Sequence, residues 1–261
     1  MLEVKDEDKI NGNFYVSKDL IDKIDKCHIY KYMDFDYLVQ LIEKCELFVP
    51  NRQRFTDLRE HSESFIKSLE ELKNKFSIVP NYKSRSFFKS QKERYAQVWY
   101  QAVSCWTYDA HRYDSNGHEM DENYLMWKCH SSKHFVCRIR STVQSFFSCL
   151  TSLKHDILVS DVKYEPVIFF HEANNPSRIF VKPEFYIDEQ EIRFVVLQGF
   201  SECSCLDDIR LTINPHILID EITLPPFINH EEERILKQRL CTVMGENKIH
   251  IKSSMLMEYT V

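Results

Sequence analysis

The sequence predicts an α+β fold with a helix-rich N-terminal half and a largely antiparallel sheet. In the first hundred residues apolar side chains recur at helical spacing, whereas β-branched and aromatic runs dominate from Ile157 onwards. The 261 residues are 43% hydrophobic and contain no long Pro-, Ser- or Gly-rich run. We therefore predict an N-terminal extension over residues 1–27 and a single domain over residues 28–261, which is long enough to bury a large core.

The N-terminal half begins with a predicted strand at Ile29–Tyr32, after which Asp34 is the predicted N-cap of an amphipathic helix. Its apolar face consists of Leu38, Leu41, Ile42 and Cys45. A short strand follows at Leu47–Val49. Helical periodicity returns over residues 60–76, and a further helix is expected over residues 84–100.

The second half reads as successive strands. They are the runs ILVSDVKY, VIFF, EIRFVVL, IRLTI and ILIDEITL, which are separated by Asn-Asn-Pro, proline or charged turns. A last helix is predicted at Glu231–Val243. The segments Ile249–Lys252 and Met257–Val261 then close the chain.

The composition excludes several function classes. Only four of the 261 residues are glycines, whereas glycine makes up about 7% of average proteins. The sequence therefore contains neither a G-x-G-x-x-G motif nor a Walker loop. A nucleotide site must then be built from side chains and ordinary strand backbone. The sequence has no G-x-S-x-G elbow, which disfavours a serine hydrolase. A net charge of −6 argues against nucleic acid coating the whole surface, but not against a local basic patch.

The sequence also indicates the cellular compartment in which the protein is expected. The N-terminus lacks the apolar core of a signal peptide, and no stretch approaches the roughly 18 apolar residues of a membrane span. Nine cysteines, an odd and unevenly spaced set, favour free thiols in a reducing compartment, most of them as small core residues. We expect a cytoplasmic protein with no membrane partner.

Cysteine and histidine cluster at Cys129, His130, His134 and Cys137. Such a group can bind zinc, but the sequence has no C-x-x-C, no H-E-x-x-H and no second ligand pair at finger spacing. The alternative is a turn with exposed histidines flanked by core cysteines. We favour that alternative and predict no metal.

The strongest candidate site is the stretch YIDEQEIRFVV at residues 186–196. In a strand, Glu189, Glu191 and Arg193 would share one face, and Ile192, Phe194 and Val196 would share the other. Two carboxylates and a guanidinium would then be presented together. The alternative is an edge strand whose charges are simply solvated.

Aromatic residues provide a second candidate region. Tyr30, Lys31 and Tyr32 end a strand next to a capped helix, which would place polar tips at a cleft. Four large rings occur farther along the chain, and rings of this kind near charged groups suit a planar ligand: Trp106, Tyr108, Tyr124 and Trp127. Core packing is the alternative explanation for these rings.

A series of short motifs resembles a bacterial domain family of uncharacterised function. They are I-Y-K-Y at 29–32, R-F-T-D at 54–57, S-C-W-T at 104–107, L-M-W at 125–127, V-K-Y at 162–164 and E-x-E-x-R at 189–193. That family shows K-Y, F-N-D-P-x-E, L-M-W-x-x-Y, V-x-Y and E-x-E-x-R in the same order, and the resemblance spans about residues 28–225. The chain departs from it at Thr56 and Leu58, and at Cys129-His130 where a tyrosine is expected.

More distantly, the layout resembles the ADP-ribosyltransferase superfamily. This resemblance implies NAD as a substrate, Glu191 as the catalytic carboxylate and Lys31 at the place of a histidine or arginine. Tyr30, Tyr32, Tyr108 and Trp127 would then help to bind NAD. Cleavage of the nicotinamide–ribose bond passes through an oxocarbenium-like state that a fixed carboxylate stabilises, so no metal is required.

Within that interpretation, the other two charged residues of the stretch also have roles. Glu189 would orient or deprotonate the acceptor nucleophile, and Arg193 would pair with a carboxylate and keep it ionised.

The acceptor is indicated by the stretch NYKSRSFFKSQKERY at residues 81–95. Basic and aromatic residues alternate there, and such residues neutralise phosphates and stack on bases: Lys83, Arg85, Phe87, Phe88 and Lys89. A solvated helix face is the alternative. We predict a nucleic-acid acceptor, with RNA favoured over protein.

The resemblance further implies a toxin of a toxin–antitoxin or anti-phage defence system, with an antitoxin protein as a partner. The competing hypotheses are a non-enzymatic module that binds a nucleotide or a partner, and a zinc-dependent nucleic-acid-binding protein.

Overall fold

The computed structural model describes twelve ranges of the chain. They are residues 14–21, 27–51, 76–78, 102–108, 112–113, 119–120, 122–130, 135–152, 155–166, 179–197, 208–245 and 249–256. The chain divides into two compact units. The first comprises Met1–Ile24, Phe48–Cys105 and Ser152–Leu211, and the second comprises Asp25–Leu47, Trp106–Thr151 and Thr212–Val261. Strands and helices are numbered along the chain.

The first unit is built on a sheet in the order β12-β9-β1-β4. Its strands are β1 (Phe14–Ser17), β4 (Phe76–Ile78), β9 (Asp156–Asp161) and β12 (Glu191–Leu197). Strand β9 pairs antiparallel with β12 and parallel with β1, whereas β4 pairs antiparallel with β1. The short helix α1 (Lys18–Ile21) follows β1.

A smaller parallel ribbon accompanies this sheet. Strand β10 (Lys163–Glu165) pairs with β11 (Val181–Pro183), so that Tyr164 lies opposite Lys182. A 3₁₀ helix, Glu184–Glu189, then connects β11 to β12. The ribbon and the 3₁₀ helix place polar groups beside the first residue of β12.

The second unit contains a sheet in the order β15-β14-β8-β2. Its strands are β2 (His28–Asp34), β8 (Val136–Thr142), β14 (Glu221–Thr223) and β15 (His250–Lys252). Strand β2 also pairs with the end of β5 (Ala102–Tyr108), where Ile29 faces Tyr108 and Tyr30 faces Thr107. A short antiparallel pair, β6 (Arg112–Tyr113) and β7 (Glu119–Met120), belongs to this unit. Three boundaries between the units fall inside strands, namely β3 (Glu46–Val49), β5 and β13 (Ile209–Thr212).

Among the described residues, five helices lie in the second unit. They are α2 (Phe35–Lys44), α3 (Tyr124–His130), α4 (Val143–Cys149), α5 (Pro215–Leu218) and α6 (His230–Met244). Side-chain caps fix several of their starts: Asp34 accepts the Asp36 N–H at 2.8 Å, and Asn229 and Glu232 form a capping box at the start of α6.

Most of the elements predicted from local pattern are confirmed where the structure describes them. The strand at Ile29–Tyr32, the helix after Asp34, the strand before Pro50 and the final helix all occur. The runs EIRFVVL and IRLTI also form strands, as does the run ILVSDVKY, which is divided between β9 and β10. Helices and sheets occur together, as the α+β prediction requires. Most of the strand pairings in the described ranges are antiparallel.

The predicted elements in two stretches of the chain were wrong. The run ILIDEITL is not one strand, because Asn214 caps a helix that has Pro215 in its first turn and runs to Leu218. Within this run, Glu221–Thr223 form the strand. Phe76 does not end a helix but begins β4, which pairs with β1. The remainder of the predicted helix over 60–76, the helix over 84–100, the run VIFF at 167–170 and residues 257–261 lie outside the described residues.

The division into an extension and one domain stays a prediction. Within the residues assigned to the extension, Phe14–Ser17 form a buried strand of the first unit. The expectation that most cysteines are core residues does not hold in the described ranges, where Cys137 and Cys149 are buried and Cys45, Cys129 and Cys241 are exposed free thiols. None of the helices in these ranges is long and apolar enough to cross a membrane.

Candidate functional site

Strand β12 carries two of the three charged residues predicted to form the site. Glu191 is 3% exposed and Arg193 is 1% exposed, and Ile192 and Phe194 on the opposite face are fully buried. Both faces of the strand are thus covered. The solvated edge strand that the sequence left open as an alternative does not describe this segment.

Glu189 does not continue the strand, contrary to the prediction. The 3₁₀ helix ends at Glu189, and Gln190 adopts the left-handed conformation with φ 44°. Gln190 donates twice to the Ile187 carbonyl, from its backbone N–H at 3.2 Å and from its side chain at 2.7 Å. This closed turn delays strand pairing until Glu191, because Asp, Glu and Gln have little preference for extended backbone.

Arg193 holds the Glu191 carboxylate in a two-point ion pair. Its Nε lies 2.8 Å from Oε1 and its Nη2 lies 3.1 Å from Oε2, while Nη1 donates to the Ile179 carbonyl at 2.7 Å. Such paired bonds fix orientation as well as charge. Glu191 therefore has one well-defined position in the interior of the first unit.

Lys182 brings Glu189 to the same cluster. Its Nζ lies 2.6 Å from Glu189 Oε2 and 3.0 Å from Glu191 Oε2, and it also lies 5.0 Å from the centre of the Tyr186 ring. The three residues predicted from sequence are thus brought together in space, although a lysine that the sequence did not single out bridges the two carboxylates.

Tyr164 completes the surroundings of Glu191. Its hydroxyl oxygen accepts the backbone N–H of Glu191 at 2.9 Å. Burial is the largest influence on this phenol and raises its pKa, so Tyr164 stays protonated at neutral pH. The V-K-Y motif marked this residue in the sequence without indicating what it contacts.

Burial and the cationic neighbours of Glu191 have opposite effects on the pKa of its carboxyl group. Burial would raise the pKa of this carboxyl group, but Arg193 and then Lys182 oppose it, and the Cys105 thiol also donates a hydrogen bond. The balance lowers the pKa of Glu191 to about 2. The site therefore contains a fixed, ionised carboxylate that is almost wholly removed from water.

In the second unit, Tyr30, Lys31 and Tyr32 do not end a strand as predicted, because β2 continues to Asp34. The three side chains alternate between the two faces of this strand. Tyr30 and Tyr32 are buried and lie opposite Arg140 and Arg138 across the β2–β8 pair. The Arg138 guanidinium lies over the Tyr30 ring at 4.5 Å and donates to Thr223 Oγ1 at 3.1 Å. Burial, the largest influence, raises the pKa of Tyr32. Lys31 points to the opposite face and lies 5.6 Å from the Trp106 ring.

Trp127 belongs to a packed cluster in the same unit. It is 1% exposed, packs edge-on against Tyr32 and donates from its indole N–H to Glu122 Oε2 at 2.9 Å. Glu122 also accepts from Ser254 Oγ at 2.5 Å and from the Met255 N–H at 2.7 Å. Sequence reasoning missed Glu122, because two of its three partners, Ser254 and Met255, come from the far end of the chain.

The four large rings that the sequence grouped together have different partners. Trp106 packs against Phe146, Trp127 against Tyr32, and Tyr124 against the exposed Phe227. Tyr108 lies at the end of β5, opposite Ile29. Protein groups therefore cover Trp106 and Trp127, and the role of Tyr30, Lys31, Tyr32, Tyr108 and Trp127 in binding NAD stays a prediction.

The remaining sequence candidates fall largely outside the described residues. This applies to the whole basic strip of Lys83, Arg85, Phe87, Phe88 and Lys89, and to His134. Cys137 is fully buried in β8, where burial raises the pKa of its thiol, whereas Cys129 and His130 lie at the exposed end of α3. Within the described ranges, no group of three His, Cys, Asp or Glu residues could hold a metal ion.

Comparison with known proteins gives distant structural similarities. No protein-family model matches the chain, and no curated protein matches it. Among solved structures, the chain is similar to Thermus sp. 2.9 DarT in complex with carba-NAD+, with a TM-score of 0.37 and 9% identity over 88% of this chain and 95% of that one.

The same Thermus protein is also matched in two further complexes. One contains NAD+ and the other ADP-ribosylated ssDNA, each with a TM-score of 0.36 and 9% identity over 87% of this chain. These alignments cover 94% and 93% of the matched chains, respectively. Similarity at this level assigns no residue of this chain to a role.

Proposed function

We propose that the protein transfers ADP-ribose from NAD to a macromolecular acceptor, with Glu191 as the catalytic carboxylate. The observation that carries this proposal is the environment of Glu191: the carboxylate is 3% exposed, yet it stays ionised because Arg193 and Lys182 face it. A fixed anion in low-dielectric surroundings is suited to stabilise positive charge that develops on a sugar ring.

In the proposed reaction, the bond between ribose C1′ and the nicotinamide nitrogen breaks and its electron pair leaves with nicotinamide. The ribose becomes oxocarbenium-like, and the Glu191 carboxylate stabilises this state. An acceptor oxygen or nitrogen then forms a bond to C1′ and loses its proton to a base. The reaction requires no net oxidation and no metal.

Glu189 is the proposed base for the acceptor. Its side chain is 27% exposed, whereas the Glu191 side chain is 4% exposed, so Glu189 is the more accessible of the two carboxylates. Glu189 is the last residue of the 3₁₀ helix. Arg193 holds the orientation and charge of Glu191.

The experiment is to incubate the pure protein with labelled NAD and a cell extract, and to compare wild type with Glu191→Gln. We expect Glu191→Gln to lower the rate of labelling by about a hundred- to a thousandfold, because one preorganised charged group commonly supplies about 2.7–4 kcal/mol of transition-state stabilisation. Glu184→Gln is the matched control, because it changes an exposed carboxylate of the same 3₁₀ helix. Equal labelling by both variants would contradict the proposal.

The proposed acceptor is a nucleic acid, with RNA favoured, and its binding is assigned to Lys83, Arg85, Phe87, Phe88 and Lys89. Treating the labelled extract with ribonuclease, deoxyribonuclease or protease identifies the acceptor class. If Lys83, Arg85 and Lys89 neutralise phosphates of a single strand, replacing them by Gln should reduce the salt slope of binding by about 0.7 for each phosphate that is no longer neutralised. An unchanged slope would remove this strip from the acceptor site.

Phe87→Ala and Phe88→Ala separate stacking from core packing. A ring that stacks on a base contributes about 1–3 kcal/mol to binding and little to folding, whereas removal of a core ring costs about 3–5 kcal/mol of folding free energy. Acceptor titration and urea unfolding of the same two variants distinguish these cases.

The biological setting that we propose is a cytoplasmic toxin of a toxin–antitoxin or anti-phage defence system, with an antitoxin protein as partner. Expression of wild type and Glu191→Gln in a bacterial host tests the first part. Wild type should arrest growth and Glu191→Gln should not.

The crowding of donors around Glu191 favours a second candidate function, a non-enzymatic module that binds a nucleotide or a protein partner. Arg193, Lys182 and Cys105 already donate to the Glu191 carboxylate, and a carboxylate offers about four acceptor sites in total. Such a cluster also suits a purely structural ion pair. This second function predicts binding of NAD or a partner without NAD consumption in either wild type or Glu191→Gln.

A further inference from the structure

Lys182 contacts carboxylates from two different elements. Its ammonium nitrogen lies 2.6 Å from Glu189 Oε2, at the end of the 3₁₀ helix, and 3.0 Å from Glu191 Oε2, at the start of β12. The two carboxylate oxygens are consequently no farther apart than the sum of these distances. The Lys182 side chain is 9% exposed, so water screens this arrangement only weakly.

The groups around this pair of carboxylates come from four elements. Arg193 on β12 faces Glu191, and Tyr164 on β10 interacts electrostatically with both carboxylates and with Lys182. Cys105 on β5 donates to Glu191, and the Tyr186 ring of the 3₁₀ helix lies 5.0 Å from the Lys182 nitrogen. Tyr164 stays neutral, and Arg193 and Lys182 supply positive charge to the two carboxylates.

We propose that Lys182 is a positioning residue that holds Glu189 beside Glu191 and allows both carboxylates to stay ionised at close range. Its place on β11 explains how it does so: Pro183 and the 3₁₀ helix follow directly, so Lys182 restrains the segment that carries Glu189. The inference rests on the proposed function only where it makes Glu189 the base that serves the acceptor.

Removal of the ammonium group has a definite electrostatic consequence. Two carboxylates at this distance repel each other, and one of them takes up a proton when no cation lies between them. Lys182→Met removes the charge and keeps an unbranched apolar side chain for the Tyr186 contact. Lys182→Arg keeps the charge. Lys182→Met combined with Glu189→Gln removes the charge and the repulsion together.

The first test needs no enzymatic activity. The side-chain carboxyl carbons of glutamate are labelled with ¹³C, and their titration is followed by NMR from pH 3 to pH 8. Lys182→Met should contain a glutamate that titrates about 1–3 pH units higher than any of this cluster in wild type. Lys182→Arg and the double variant should restore wild-type titration.

Each outcome of the titration supports or overturns the role of Lys182. Unchanged titration in Lys182→Met, or a double variant that titrates like Lys182→Met, overturns the inference. Where Lys182→Met fails to fold and the double variant folds, repulsion between the carboxylates is the cause and the inference stands. Failure of both to fold assigns Lys182 a packing role and overturns it.

The second test uses the pH dependence of NAD-dependent labelling. In Lys182→Met the acid limb of the pH–rate profile should shift to higher pH by about 1–3 units. The profile of Lys182→Arg should resemble that of wild type. A uniform loss of rate at every pH would contradict a role in holding the charge of the pair. If no variant consumes NAD, the proposed function fails, and the NMR titration still decides the inference about Lys182.

Discussion

Glu191 in the first unit and Glu122, one of the buried glutamates of the second unit, are stabilised by different means. Glu191 in the first unit and Glu122 in the second are both 3% exposed. Glu191 is held by the cations Arg193 and Lys182, whereas Glu122 accepts hydrogen bonds from the neutral donors Trp127, Ser254 and the Met255 backbone. Burial alone therefore does not set the electrostatic surroundings of a carboxylate, because cationic donors surround one glutamate and neutral donors surround the other.

The largest stability effect should follow from breaking the ion pair of Glu191. Arg193→Met leaves Glu191 with Lys182 as its remaining cation, and loss of one member of a buried pair costs about 3–5 kcal/mol of unfolding free energy. Urea unfolding measures this change. Arg234→Met, on an exposed face of α6 and paired with Glu231 at 2.7 Å, is the control and should differ little from wild type. If Arg193→Met is as stable as Arg234→Met, the pair does not hold Glu191.

The next effect is the response of the protein to acid. The pKa of Glu191 is lowered by folding, from 4.5 to about 2, so the native state binds fewer protons than the unfolded state between these values. This carboxylate therefore contributes stability above pH 4.5, and about 3 kcal/mol should be lost as the pH falls through about 2. Urea midpoints measured at pH 6, 4 and 3 test this expectation. Glu191→Gln should show a flatter acid dependence, and an equal dependence in both proteins would contradict it.

A smaller effect is expected at the neutral cluster. Glu122→Gln keeps one oxygen acceptor but turns an N–H₂ group towards donors, so one of them loses its partner. A buried donor that has no acceptor lowers the free energy of unfolding by about 1–3 kcal/mol. Urea unfolding gives the magnitude, and the fluorescence of Trp127 reports the local change. A cost above that of Arg193→Met would reverse the ranking of the two glutamates.

The smallest effect should come from removing one neutral donor. Ser254→Ala deletes the hydroxyl that donates to Glu122 at 2.5 Å and leaves the Trp127 and Met255 donors in place. The same hydroxyl also accepts the Leu256 N–H at 3.2 Å. We expect a net loss of about 1 kcal/mol, the usual value for a hydrogen bond. Thermal or urea unfolding measures it. No change in stability would show that Trp127 and Met255 suffice for Glu122.

The sequence predicted best those elements whose signals are local. The cap at Asp34, the amphipathic helix behind it and the β-branched run of β12 each depend on neighbouring residues, and all three occur. Asn214 and Pro215 also carried a local helix-start signal, and the run ILIDEITL was misread because its apolar composition outweighed that signal.

The rest of the candidate site depends on interactions that no local pattern encodes. Ser254 and Met255 reach Glu122 across more than a hundred residues of sequence, and Tyr164 reaches the Glu191 backbone from a separate strand. Lys182 stands in a short segment, V-K-P, with no periodicity to mark it. The charge cluster itself was predicted from E-x-E-x-R, but its geometry was not, because Glu189 and Glu191 belong to different elements.

The backbone of Gln190 also constrains which sequences can build this cluster. Left-handed backbone is unfavourable for any side chain with a branched Cβ, so valine, isoleucine and threonine are poorly tolerated between the two glutamates, and proline is excluded by its fixed φ. Glycine, asparagine and aspartate suit the position. An E-x-E-x-R segment with a β-branched residue between its two glutamates would continue as a plain strand, without the 3₁₀ turn that brings the first glutamate to a lysine placed like Lys182. The residue between the two acids, which carries no charge, is therefore a practical marker for separating sequences that form this paired-carboxylate arrangement from those that merely contain the motif.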